Sequence, residues 1–209
     1  MKNAKDFFDN NKQQWSYDLL NEKKQYKVME NFYNCYAKVK KTKPRILDIG
    51  CGIGYDAKIL SDLGAKIVGI DFSSNVLSTA KKFVANANFH MFDIINSPLT
   101  ELGKFDGAIC LETLDYVTPE NMKQCLDNIA SVLKSGALLL VSVLDGTSKN
   151  DERSYVTLND EKYDKNFHCY LAEDICAYAY PNFKLVDTWQ FNDFEEGWRY
   201  YIFMKQIVK

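Results

Sequence analysis

The stretch Asp48-Ile49-Gly50-Cys51-Gly52-Ile53-Gly54 sets three glycines at alternate positions directly after a short apolar run. Such a turn lets the chain reverse tightly between a strand and a helix, and it lets a ligand approach bare backbone. Gly52, Gly54 and Ala57 also satisfy the relaxed Gly-x-Gly-x-x-Ala dinucleotide fingerprint, with Asp71 19 residues after Gly52. Charge weighs between the two cargoes this turn could hold. A dinucleotide brings an anionic pyrophosphate, which the Asp48 carboxylate repels, whereas a cofactor carrying a cationic sulfonium and an ammonium is attracted by it. Cys51 reads as a small filler, because no basic partner lies close in sequence to make it a nucleophile.

The elements that position this turn follow from apolar periods. Arg45 to Ile49 reads as a buried parallel strand, followed by a helix from about Gly54 that stops at Gly64. Strand and helix then repeat. Strands are expected at Lys66 to Ile70, Asn88 to Phe92, Phe105 to Cys110 and Ala137 to Val143, with helices starting at Ser73 or Ser74 and at Thr118-Pro119, the latter ended by Gly136. A last helix spans about Leu171 to Ala179. Phe183 to Phe191 and Gly197 to Lys205 are joined by so short a polar segment that they can only be antiparallel neighbours. The expected fold is therefore α/β, a doubly wound, mostly parallel seven-stranded sheet ending in an antiparallel hairpin. One domain is expected over 1–209: an N-terminal helical lid (1–43), a cofactor-binding half (44–145), and a substrate loop with the terminal hairpin (146–209). The aromatic-rich lid is expected over the carboxyl edge of the sheet, where Trp15 and Tyr17 would close over the cofactor.

Five motifs in order resemble the class I, seven-stranded S-adenosylmethionine-dependent methyltransferases, in particular the small bacterial type with a helical lid. They are the glycine turn, Val68-Gly69-Ile70-Asp71-Phe72-Ser73, Phe92-Asp93-Ile94, Phe105-Asp106-Gly107-Ala108-Ile109-Cys110-Leu111, and Lys134-Ser135-Gly136. The resemblance implies S-adenosylmethionine as cofactor and S-adenosylhomocysteine as product. It implies that Asp48, Gly50, Cys51, Gly52 and Gly54 form the first binding motif, and that Asp71, with Phe72 beside it, accepts hydrogen bonds from both ribose hydroxyls. Asp93 and Ile94 would clamp adenine, and Leu111 would end the strand that runs to the methyl group. Two plain readings stand beside these: Asp71 could cap the next helix, and Asp93 could start the turn toward Pro98.

Methyl transfer from a sulfonium is an in-line displacement, for which alignment and exclusion of water matter most and a general base is optional. In the loop Leu111-Glu112-Thr113-Leu114-Asp115-Tyr116-Val117, Asp115 and Tyr116 stand where many relatives carry histidines. Either could act as the base, and an acid there would suit a cationic amine; alternatively Asp115 faces away and Tyr116 packs under the lid. His168, ahead of the last helix, is a third catalytic candidate at the edge of the acceptor pocket.

Composition narrows the field. The chain has 209 residues, 46% hydrophobic and 26% charged, with 26 basic against 28 acidic residues for a formal charge of -2. Such a balance does not drive binding to nucleic acid or acidic membranes by field alone. The basic run Lys38, Lys40, Lys41, Lys43, Arg45 precedes the first strand, away from the expected crevice. The six cysteines form no Cys-x-x-Cys pair, and His168, Cys169 and Cys176 have no fourth ligand at a finger-like spacing, so no metal is expected. No export signal or spanning stretch is visible, which suggests a cytoplasmic protein with reduced thiols and a small-molecule acceptor. RNA methylation, a catalytically inactive scaffold and a nicotinamide-dependent oxidoreductase remain open alternatives, and neither the acceptor atom nor the oligomeric state follows from these residues.

Overall fold

The computed structural model of the protein describes residues 19–37, 42–146, 152–158, 161–190 and 197–207. Helix α1 (Leu19–Ala37) leads into β1 (Arg45–Ile49), α2 (Tyr55–Asp62), β2 (Lys66–Asp71), α3 (Ser74–Phe83) and β3 (Asn88–Met91). The alternation continues with β4 (Phe105–Cys110), α4 (Pro119–Val132) and β5 (Leu133–Leu144). After β6 (Glu152–Leu158), β7 (Glu161–His168) and α5 (Ala172–Ala179), the chain closes with β8 (Phe183–Gln190) and β9 (Trp198–Lys205). The main sheet has seven strands in the order β3-β2-β1-β4-β5-β9-β8. Strands β1 to β5 are parallel, and β9 runs antiparallel to both its neighbours, which gives the expected terminal hairpin.

Both faces of the sheet are covered, which is why its central strands read as nearly unbroken apolar runs. One face packs Leu47, Ile49, Val141 and Tyr201 against α4 and α5 through Leu126, Ile129 and Ile175. The other packs Ile46, Ile67, Leu140 and Ile202 against Phe32 of α1, Leu60 of α2 and Leu77 of α3. All six cysteines are free thiols. Among the described residues, no helix is long and apolar enough to cross a membrane.

Three expectations change. The part of the expected lid that the structure describes is a core helix: α1 buries Val28, Met29, Phe32 and Tyr36 against the sheet face, and Gln25 near its start reaches Asp56 at the head of α2. Trp15 and Tyr17 lie outside the described residues. Secondly, the expected substrate loop contains a two-stranded antiparallel sheet, β6 with β7, and then rejoins the main sheet where Tyr170 bridges to Asp145 just past β5.

Thirdly, α4 ends at Val132 and β5 begins at once, before Gly136, with a jump in register: Phe105 of β4 pairs with Leu133 but Gly107 pairs with Leu138. Gly136 sits at φ 74 in the irregularity. The hydroxyl of Tyr36 pins this kink, accepting from the Leu138 amide at 2.7 Å and donating to the Leu138 carbonyl at 3.1 Å. Gly107 makes room for it, since a Cβ there would stand 2.2 Å from the phenol oxygen. Tyr36→Phe strands both backbone groups of Leu138 in a buried interface. We expect it to lower the unfolding free energy by about 1–3 kcal/mol in urea titrations, with the slope of the transition unchanged. A variant as stable as wild type would show that the hydroxyl does not hold the kink.

Candidate active site

In the sheet, chain order reverses at β1, with β2 on one side and β4 on the other. Loops leaving the carboxyl ends of β1 and β4 therefore diverge and leave a crevice between them. The first of these loops is the glycine turn. The Ile70 carbonyl receives the amides of Gly50 at 2.8 Å and Cys51 at 3.0 Å, folding the turn back onto β2. Gly50 has φ 70, and a Cβ on it would meet Oγ1 of Thr113 at 2.0 Å, so only glycine lets the two crevice loops touch. Gly52, at φ 50, has nothing within 4 Å on the side where a Cβ would stand and so offers bare backbone. Gly54 then caps the start of α2.

Three carboxylates surround this turn. Asp48 is 3% exposed; it takes a backbone hydrogen bond from Ala57, while its Oδ2 is buried and makes none. Burial, reinforced by the charges of Asp56 and Asp71, pushes its carboxyl well above the usual range. Asp56, in the first turn of α2, accepts Nε2 of Gln25 at 2.8 Å. Burial raises its carboxyl to about 6 against the lowering effect of that hydrogen bond. Asp71, at the end of β2, receives the Gly52 amide on Oδ2 at 3.0 Å and the Ser73 amide on Oδ1 at 2.9 Å. Ser73 in turn caps α3. Cys51 is buried, and burial together with the Asp48 and Asp71 charges pushes its thiol up, which fits a filler and not a nucleophile.

The other expected cofactor residues lie along the same edge. Phe72, 37% exposed, follows Asp71 directly, and Leu111 is buried at the end of β4. Ile94 packs partly against the core under α4. Asp93 takes the turn-forming role: Oδ1 accepts the amides of Ile95 at 2.8 Å and Asn96 at 3.2 Å, and Oδ2 accepts Nδ2 of Asn96 at 2.8 Å. Partial burial opposes ionisation, but these donors outweigh it and lower the carboxyl. Each carboxylate oxygen can accept two hydrogen bonds, so the turn does not exhaust the group.

The loop after β4 rearranges the expected acceptor side. Asp115 is fully buried in the short helical turn Leu114–Tyr116, where its charge is felt by Cys110 and Tyr170. It has no solvent exposure in this arrangement. Tyr116 is half-buried in the same turn. Strand β7 packs against this turn and ends in half-buried His168, whose ring centre lies 6.4 Å from that of Tyr170. The Tyr170 hydroxyl donates to the Val117 carbonyl. The strand that ends in His168 thus lies against the turn that carries Tyr116.

The residue that sequence reading passed over is Glu112. It is exposed and, among the described residues, the one non-glycine with positive φ, at 49. Its amide donates to Oγ of Ser142, a fully buried serine of β5, at 2.9 Å. Residue type and spacing gave no signal of this, because the loop's direction depends on packing of Thr113 against Gly50. Among the described residues, no group of three His, Cys, Asp or Glu side chains could hold a metal ion.

Comparison with known proteins bears on the family and the fold. A family described as "Methyltransferase domain" matches residues 20–199. A Geobacillus sp. (strain WCH70) protein with a methyltransferase name is 30% identical over 164 residues, covering 74% of this chain and 66% of that one. The ubiquinone biosynthesis O-methyltransferase of Glaesserella parasuis serovar 5 (strain SH0165) is 28% identical over 113 residues, covering 50% of this chain and 47% of the relative. The chain thus spans about half to two thirds of the length of these curated relatives. Among solved structures, magnesium protoporphyrin IX methyltransferase from Synechocystis PCC 6803, with bound S-adenosylmethionine, superposes with TM-score 0.71 at 16% identity, covering 97% of this chain and 95% of that one. At that identity the likeness is one of fold.

The raised carboxyls have a measurable sign. A folded-state value of about 6 for Asp56 means that the folded chain holds a proton more readily than the unfolded one. The resulting stabilisation is complete below about pH 4, is lost as pH rises through about 6, and is constant above that. Asp56→Asn keeps the acceptor for Gln25 without the charge. Relative to wild type it should gain stability between pH 4 and 6.5 in parallel thermal melts, and a relative loss over that window would contradict the assignment.

Proposed function

The chain belongs to the methyltransferase-domain family, and on that premise we propose that it transfers a methyl group from S-adenosylmethionine to the amine or hydroxyl of a small-molecule acceptor. The observation that carries this reading is the buried carboxylate of Asp48, one oxygen without a hydrogen bond, beneath a glycine turn whose backbone is bare at Gly52. With Asp56 and Asp71 close by, this crevice attracts a cation and repels a pyrophosphate. It also disfavours a polyanionic acceptor such as RNA. The ubiquinone biosynthesis O-methyltransferase among the relatives supports a small acceptor, with a hydroxyl as one option.

When bound, S-adenosylmethionine supplies a methyl group activated by positively charged sulfur. The chain's own contribution is alignment and exclusion of water. In this reading the backbone at Gly52 lies against the donor's amino-acid end and the Asp48 carboxylate supplies the compensating charge beneath it. Asp71 receives the ribose hydroxyls while keeping the turn amides in place, and Phe72 and Ile94 flank the adenine, whose amine is offered to Asp93. Tyr116 and His168 border the acceptor side, where either can take a proton from a hydroxyl that needs one. Asp115 is too deeply placed for that task.

Calorimetric titration with S-adenosylhomocysteine, S-adenosylmethionine and NADH separates this reading from the nicotinamide alternative. Both sulfur ligands should bind and NADH should not. Asp71→Asn should weaken S-adenosylhomocysteine about tenfold to a hundredfold, the range for losing charge-assisted hydrogen bonds. Binding of NADH without either sulfur ligand would reverse the assignment.

A further inference from the structure

Between the donor turn and the terminal hairpin, the backbone at Glu112 is held from two sides. Thr113 closes one side, its side chain lying over Gly50 and its hydroxyl donating to the Leu111 carbonyl at 2.8 Å. Glu112 is therefore next to the glycine turn. On the other side its amide is fixed to Ser142, and Ser142 pairs across the strands with Tyr200 of β9. Residues directly opposite in an antiparallel pair project to the same face, so Tyr200 rises beside the serine that anchors Glu112. Tyr200 stacks on Trp189, ring centres 5.5 Å apart and planes within 7°, and half-buried Trp198 occupies the same face. The phenol of Tyr200 is pushed up by burial first, and then by the charges of Glu112 and Asp56.

We propose that Glu112, with the aromatic wall of Tyr200, Trp189 and Trp198, is the recognition site for a cationic amine acceptor with a flat or apolar body. The proposal rests on the donor assignment above and names the acceptor class for that same crevice. An ammonium forms a charge-assisted hydrogen bond with a carboxylate and is attracted to aromatic faces, neither of which a neutral alcohol does as well. A carboxylate beside the reacting centre also offsets the positive charge that the donor brings.

The chemistry balances without a co-reactant. The bound ammonium gives one proton to the Glu112 carboxylate, or through it to solvent water, because only the neutral amine has a lone pair. That lone pair forms the C–N bond to the methyl carbon as the C–S bond breaks, and the C–S electron pair stays on sulfur as a neutral thioether. The positive charge passes from sulfur to the methylated nitrogen, which leaves as an ammonium.

The test uses the full chain loaded with S-adenosylhomocysteine and two isosteric pairs, benzylamine with benzyl alcohol and 2-phenylethylamine with 2-phenylethanol, read by saturation-transfer NMR and calorimetry. The amines should bind about tenfold or more tightly than the alcohols and weaken as salt is added. Glu112→Gln should remove that preference while binding S-adenosylhomocysteine as wild type does, and Glu112→Asp should restore part of it. Glu112→Gly, which relieves the positive φ, should also lose the preference while melting no lower than wild type. Equal binding of amines and alcohols, wild-type amine affinity in Glu112→Gln, or no amine binding to the loaded protein would each overturn the proposal. Failure of S-adenosylhomocysteine itself to bind would instead remove the donor assignment, and the acceptor proposal with it.

Discussion

The carboxylate of Asp71 receives the amide of Gly52 on one oxygen and that of Ser73 on the other, and most of the crevice depends on this pair of bonds. Through Gly52 it fixes the height of the glycine turn above β2. Through Ser73, which caps α3, it fixes where that helix starts. A hydrogen bond to an ionised group contributes about 1.5–3 kcal/mol, so two of them form a strong local clamp. Two amide donors suit an ionised Asp71 at the edge of a packed sheet.

Asp48 and Asp56 have no comparable set of donors. Asp48 takes one backbone hydrogen bond and Asp56 takes Gln25, and burial raises both carboxyls. Three acids around one turn repel each other in a medium of low dielectric, a cost that a stability-optimised fold would avoid. The cost is recovered when a cation enters, since a positive sulfur and ammonium relieve the repulsion without further rearrangement of the protein. The arrangement is therefore better suited to the liganded chain than to the empty one. This also accounts for the packing of α1: Gln25 is delivered to Asp56 because α1 lies flat on the sheet face, its far end fixed by Tyr36 at the kink in β5.

Much of this was legible before the structure. The alternation of apolar runs located β1 to β4 and the terminal hairpin within a residue or two, because buried parallel strands and helix stripes have periods that composition cannot disguise. The glycine turn was legible for the same reason, as its spacing encodes a backbone conformation. What escaped was whatever depends on where a loop points. Tyr155, Val156 and Thr157 followed by Asn159-Asp160 are a hairpin signal, yet the segment reads as a polar loop until β6 is seen to pair with β7. Gly136 reads as a helix stop, but it lies inside a strand irregularity whose cause, Tyr36, is about a hundred residues away in sequence. Asp93 reads both as a nucleobase contact and as a turn former, and its place in the turn shows only in the donors around it.

The contrast between Asp115 and Glu112 shows the same limit in the loop after β4. Both acids follow β4, three positions apart, and a short helical turn intervenes. Three residues of tight helix bring a side chain round to a similar azimuth, but here the backbone at Glu112 has φ 49 and breaks the periodicity. A non-glycine in that region costs on the order of 1 kcal/mol and survives only where neighbours impose it. The neighbours are Thr113, pressed onto Gly50, and Ser142, which holds the Glu112 amide. Three residues apart, Asp115 is fully buried and Glu112 is exposed. The conformation at Glu112 is set by contacts from β1 and β5 that no local reading of the loop contains.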